Sequence, residues 1–377
     1  MSLGMRADVG VPFVDLAPVH ASLLPRLVQD LERLIADGTF TNGPEVALFE
    51  REFAAFCGAA FCVGVSSGLD ALRLALLAAG IEPGDEVILP SMTFAATAEA
   101  VLQAGGTPVF VDSSEDDWNI DCAAAAGAIS PRTRFLLPVH LYGQMADMAR
   151  LEELAAQRNL TIVEDACQAH GARRGGLGAG VVGRASAFSF YPGKNLGAMG
   201  DAGALVTSDA TVAEGARSLR EHGQCERYLH ERVGYTARLD TIQALVLSHK
   251  LRQLDGWNWQ RRALARRYLA GLSGLDGVRL PPVPDGSEPV WHLFVIRISV
   301  PDELAGFLTE RGVASGRHYP LPLHLAPAYR GYGPPAGSLP VAEAIARECV
   351  SLPLFPGMTG TQTDQVIDAV REFVRRG

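Results

Sequence analysis

Lys194 stands in the stretch FSFYPGKNLGAMGDAGAL (Phe188–Leu205), behind an apolar strand-like run and ahead of glycines that leave the backbone bare. A lone lysine there is badly placed as a surface charge and well placed as an amine that condenses with a carbonyl group. Three other stretches carry groups of complementary chemistry. GVSSGLDAL offers the hydroxyls of Ser66 and Ser67 and the bare backbone of Gly68 where a strand turns into a helix. Free N–H groups at a helix start beside a hydroxyl make a phosphate cradle, although the same serine also reads as an ordinary helix cap. VEDACQAHG ends a strand on Glu164 and Asp165. A carboxylate in that place either holds a cationic ring nitrogen or is satisfied by neighbouring N–H groups. PSMTFAAT presents Phe94 at a strand-to-helix turn, as a stacking platform or as core, and SFYPGK adds the hydroxyl of Ser189.

These turns belong to a recurrent pattern. From about residue 45 to 255, strand and helix signals alternate, as parallel βαβ units require. FCVGV, GDEVILP, TPVFVD, TRFLLPVHLYG, LTIVED, ASAFSFY and GALVTSD read as strands, and ARLEELAAQRN reads as a crossover helix. LDTIQALVLSHKLRQLDGWNWQRRALARRYLAGL carries helical spacing over a length that implies one long or bent helix leaving the first domain. Beyond the proline-rich LPPVPDGSEPV, the strand WHLFVIRISV and the helices ELAGFLTERG and DQVIDAVREFVRRG make a small α+β unit. The expected architecture is therefore α/β: a large domain, residues 1–250, with a mostly parallel central sheet flanked by helices, and a small α+β C-terminal domain, residues 251–377.

In open α/β sheets, ligands sit outside the carboxyl ends of the strands, so the informative turns share one crevice. A phosphate at Ser67, Gly68 and Ser189, an aromatic ring on Phe94, a ring nitrogen at Asp165 and an aldehyde within reach of Lys194 describe pyridoxal 5'-phosphate. In that cofactor the lysine amine condenses with the aldehyde, and the carboxylate keeps the ring nitrogen protonated so that the ring accepts electrons from a carbanion. Desolvation would depress the lysine pKa and make the freed amine a proton shuttle.

Composition narrows the partners. The chain has 377 residues, 48% hydrophobic and 20% charged, with a net charge of −9, which disfavours nucleic acid. No run of eighteen apolar residues and no signal-peptide pattern at MSLGMRADVGVPF point to a membrane or to export, so cytoplasm is the expected location. Cys57, Cys62, Cys122, Cys167, Cys225 and Cys349 are scattered without ligand spacing, which implies free thiols and no metal site.

EDACQAHGA and SFYPGKNLGAMGDAGA, together with FVDL, HYPLPLHLAPAY and SLPLFPGM, resemble the DegT/DnrJ/EryC1/StrS nucleotide-sugar aminotransferases, pyridoxal phosphate enzymes of the aspartate aminotransferase-like fold type I. The match is nearly collinear. The resemblance implies Lys194 as the Schiff-base lysine, Asp165 at the ring nitrogen, Gln168 beside the ring hydroxyl, Ser189 at the phosphate, and Arg238 and His324 entering from the partner subunit of a homodimer. It further implies a nucleotide-linked ketosugar as acceptor and glutamate as donor. VHLYGQMADM, HYPLPLHLAPAY and PVWHLFVIRI look closest to members that aminate C3 of dTDP-3-keto-6-deoxyhexoses. C4-aminating and UDP-sugar-specific members are the alternative.

Two positions depart from the family pattern. Leu69 replaces a threonine and contributes only its backbone N–H to the phosphate, and Thr236 replaces an asparagine that reaches the phosphate across the dimer. Lys194 argues against the relatives that dehydrate sugars, which carry histidine there. The intact Lys194, Asp165 and Gln168 argue against a non-catalytic, regulatory relative. A Rossmann dehydrogenase is excluded because no G-x-G-x-x-G follows the first strand.

Overall fold

The computed structural model describes residues 10–376; residues 1–9, most of the stretch read for an export signal, lie outside the described residues. The valine- and isoleucine-rich runs form a seven-stranded sheet of β1 (Phe61–Val65), β2 (Glu86–Pro90), β3 (Thr107–Val111), β4 (Thr133–Leu136), β5 (Thr161–Asp165), β6 (Ala185–Ser189) and β7 (Gly203–Thr207), in the order β1-β7-β6-β5-β4-β2-β3. Strands β2 to β6 pair in parallel. Only β7, the strand read from GALVTSD, runs against its neighbours β1 and β6. Every residue of β2 and β7 is buried, as expected when helices cover both faces of a sheet.

The helix Gly68–Ala78 packs across β6 and β7, and the two faces of the sheet carry separate apolar cores. The long helical segment is in fact two helices, Thr241–Leu251 and Leu254–Leu272, interrupted at Arg252 and Gln253. Its second half enters a third core with the strands Phe294–Ile298 and Cys349–Leu352 and the helices Pro301–Glu310 and Gly360–Arg376. Val11, from the start of the chain, is buried in that same core and pairs with Val313. We propose these packings as the basis of the two units. The first then holds the division drawn at residue 250, and the N-terminal segment crosses to join the second.

Candidate active site

The carboxyl ends of β5 and β6 and the start of the helix Gly68–Ala78 meet at one place. Gly68 is required there: a Cβ on it would stand 2.6 Å from Cβ of Ser189 and 3.0 Å from Sγ of Cys167. Gly203, at the start of β7, is required as well, since its Cβ would stand 2.2 Å from the carbonyl oxygen of Ser67. The glycines around Lys194 thus allow backbone to approach backbone behind the site. Ser67 caps the helix, its hydroxyl accepting the Asp70 N–H at 3.1 Å, so the capping reading of that serine is realised. The first N–H groups of the helix, Gly68 and Leu69, have no intrahelical acceptor and lie beside Ser189, which is an anion-binding arrangement.

Asp165 is 6% exposed. Its Oδ1 accepts the Cys167 N–H at 3.1 Å and its Oδ2 accepts the Thr97 hydroxyl at 2.8 Å. Both oxygens keep accepting capacity. Next to it, Gln168 is held by its carbonyl oxygen, which accepts the Tyr142 N–H at 2.7 Å, and its amide donates to the Tyr319 hydroxyl at 3.2 Å. One amide hydrogen is left for a further acceptor. Phe94, at the start of the helix Ala95–Gln103, is 56% exposed with its ring 5.6 Å from that of Tyr319.

Lys194 is half-buried in a tight loop whose N–H returns to the Tyr191 carbonyl. Burial pulls its amine below the ordinary lysine value, and the nearby Cys167 and Asp165 groups oppose that shift. The balance favours an amine that loses its proton readily, as a nucleophile must. Burial, and then the charge of Lys194, hold His318 down at about 4 and His170 at about 3, so both imidazoles are neutral. His318 stacks against Phe13 with ring centres 5.6 Å apart, and its Nδ1 lies 2.8 Å from the Ser351 hydroxyl. Behind the loop a second lysine, the buried Lys250, bonds the Gly197 carbonyl and lies 3.1 Å from Nε2 of His20.

The structure does not bring every expected residue to this place. Thr236 and Arg238 lie along the end of β1, where the Ala237 carbonyl accepts the Ser66 N–H. There they form their own cluster: Arg238 donates to Glu221 at 2.7 Å and Thr236 contacts the His222 ring at 3.2 Å. His324, which the resemblance places at a partner's site, is 1% exposed in this chain, with Nδ1 2.6 Å from the Ser91 hydroxyl and Nε2 3.2 Å from Glu343. The other end of the same motif reaches the site within the chain, where Tyr319 meets Gln168 and Phe94. Thr97, Cys167, Tyr142, His318 and Tyr319 were not singled out from the sequence. The hydroxyl three residues after Phe94 was the one local signal for any of them.

Residues 24–371 match the model of the DegT/DnrJ/EryC1/StrS aminotransferase family. The chain belongs to that family. It is 50% identical over 366 residues, 97% of each chain, to the dTDP-3-amino-3,4,6-trideoxy-alpha-D-glucose transaminase of Streptomyces venezuelae. The crystal structure of S. venezuelae DesV in complex with a ketimine intermediate superposes with a TM-score of 0.95 at 50% identity, covering 97% of this chain and 99% of that one. NtdA of Bacillus subtilis, solved with bound cofactor PMP, superposes with a TM-score of 0.90 at 30% identity, covering 99% of this chain and 87% of that one. This aminotransferase is pyridoxal phosphate-dependent and acts on a nucleotide sugar.

The residues present fit that cofactor. A half-buried amine of lowered pKa, a buried carboxylate with accepting capacity to spare, an exposed aromatic face and open N–H groups at a helix start surround one crevice. No group of three or more His, Cys, Asp or Glu side chains is arranged for a metal ion among the described residues.

Proposed function

We propose that this aminotransferase aminates C3 of a dTDP-linked 3-keto-6-deoxyhexose with glutamate as donor, in amino-sugar biosynthesis in the cytoplasm. The observation that carries the site assignment is the nearness of the half-buried Lys194 amine, in the loop after β6, to the Asp165 carboxylate at the end of β5, close enough for the carboxylate charge to act on the amine. The printed activity of the 50% identical S. venezuelae relative supports the C3 position and the dTDP carrier.

In this reading Gly68, Leu69 and Ser189 hold the phosphate, Phe94 covers one ring face, Asp165 accepts from the ring nitrogen, and Gln168 offers its spare amide hydrogen to the ring hydroxyl. Bound there, pyridoxal phosphate supplies an aldehyde that captures the amino group and a ring that takes up the electron pair. Lys194 is the linking amine and, once freed, the base that moves the proton between carbon atoms of cofactor and substrate. Borohydride treatment of the yellow holoprotein should fix the cofactor on the peptide carrying Lys194, and Lys194→Ala should lose both colour and transamination. A colourless protein that cannot be reconstituted ends this reading.

We further propose a homodimer in which Thr236 and Arg238 complete the partner's pocket. Two features support this. Among the described residues Arg238 bonds Glu221 and has no hydrogen bond to Lys194, and apolar side chains stand exposed on the helix Leu24–Asp37 (Ile35, 62%) and near the Arg238 segment (Val233, 89%). Lys194→Ala and Arg238→Ala proteins, each inactive, should regain activity when mixed, since some heterodimers hold one intact pocket. No recovery after demonstrated subunit exchange places both residues in one chain's pocket. Ketosugars on dTDP and UDP, assayed with glutamate, separate the C3 reading from C4-aminating and UDP-specific alternatives.

A further inference from the structure

Thr97 lies in the first turn of the helix Ala95–Gln103, three residues after Phe94, and is fully buried. Its hydroxyl has one proton to give. An ionised carboxylate only accepts, so the 2.8 Å contact with Oδ2 of Asp165 is Thr97 donating. The 2.9 Å contact between the hydroxyls of Thr93 and Thr97 then has Thr93 as donor and Thr97 as acceptor. The chemistry of the last acceptor fixes the direction of the whole chain, from Thr93 through Thr97 to Asp165. Each hydrogen bond in such a chain polarises the next.

The consequence for Asp165 is geometric. An aspartate carboxylate has a broad torsional preference about its last bond and turns freely unless held. Here one donor sits on each oxygen, the Cys167 N–H on Oδ1 and the Thr97 hydroxyl on Oδ2. Together they lock the carboxylate plane. Without Thr97, Asp165 keeps a single backbone donor on one oxygen and can rotate about it. A buried threonine hydroxyl in a helix ordinarily bonds back to a carbonyl one turn earlier. Thr97 instead reaches a carboxylate 68 residues along the chain.

We propose that Thr97, backed by Thr93, is a positioning residue that aims the Asp165 carboxylate at the ring nitrogen of the cofactor. The inference rests on the reading that Asp165 pairs with that nitrogen. It gives the helix start Phe94–Thr97 a double task, since one turn presents the aromatic face and, one turn on, fixes the partner of the ring nitrogen.

The test compares holoproteins carrying Thr97→Val, which keeps the shape and deletes the hydroxyl, and Thr97→Ser, which keeps the hydroxyl. Thr97→Val should weaken pyridoxal phosphate binding about tenfold, the ratio carried by one hydrogen bond to a charged group. It should also displace the pH midpoint of the bound cofactor's visible absorbance, and lower kcat about tenfold while the acceptor KM moves less than about twofold. Thr97→Ser should restore all three. If Thr97→Val does not fold, Thr93→Val carries the test, with the same direction of change and roughly threefold effects through the first link of the chain. Wild-type binding and absorbance profiles in whichever valine variant folds overturn the proposal. Asp165→Asn separates the two levels: if it shifts the absorbance profile and the valine variant does not, only the role of Thr97 falls. If neither shifts it, the assignment of Asp165 to the ring nitrogen falls too.

Discussion

Glu164 and Asp165 are consecutive residues at the end of β5, and the alternation of a strand sends them to opposite faces of the sheet. On one face Glu164 is fully buried and accepts five donors: His140 Nε2 at 2.8 Å, the Ser186 hydroxyl at 2.9 Å, and the N–H groups of Gly180, Val182 and Gly183. The Ala146 N–H donates to Nδ1 of His140, so Nε2 is the protonated nitrogen that faces Glu164. Burial would raise the Glu164 carboxyl, yet the His140 bond and the Gly183 and Gly180 N–H groups hold it below its ordinary value. On the other face Asp165 has two donors and room for more. Saturation marks a carboxylate that builds the fold, and spare accepting capacity marks one left open for a ligand.

That comparison is broken most strongly by exchanging charge for amide on each face in turn. Asp165→Asn should leave folding stability within about 1 kcal/mol, because only two donors are disturbed. Turnover should fall about a hundredfold or more, since a neutral partner no longer supports a protonated ring nitrogen. Steady-state kinetics beside chemical denaturation read both quantities, and an unchanged kcat removes Asp165 from the reaction. Glu164→Gln should do the reverse. Its amide group turns donors against donors in a sealed site, which costs about 3 kcal/mol of stability. Turnover per folded, cofactor-loaded molecule should stay within about threefold. A variant as stable as the wild type would show that the five-donor site is not what holds the loop 180–183.

The smallest effect sharpens the comparison through pH. His318 titrates at about 4 in the fold and near 6.5 when unfolded. Between those values the unfolded chain binds more protons, so stability present above pH 6.5 is lost as pH falls toward 4. His318→Phe removes one such proton, and denaturation at pH 7 and pH 5 should show a shallower loss than in the wild type. An equal slope excludes His318 as a contributor.

Strand positions and the motifs carrying Lys194, Asp165 and Gln168 were legible because each is written in consecutive residues. The alternation of βα units does not state strand direction, so the reversal of β7 had to come from the structure. Saturation of Glu164 was equally out of reach, because its donors are spread from residue 140 to residue 186. Tyr319 meets Gln168 across 151 positions, a contact that nothing local to either residue announces. Nothing local to His324 announces that Ser91, 233 residues earlier, fills its Nδ1.

The stack of Phe13 on His318, with His318 anchored to Ser351, has a consequence for the order of events on the ribosome. The sheet that carries Asp165 and Lys194 is fully translated by Thr207, but the wall formed by His318 and Tyr319 is not yet synthesised. At about 10 residues per second, roughly fifteen seconds pass between the emergence of Thr207 and that of Ser351. During that interval a nascent chain displays the reactive lysine in a half-built crevice, and Phe13, made before the sheet, waits for its partner His318, made after it. Completion of the pocket is therefore a late event that joins a segment made before the sheet to one made well after it.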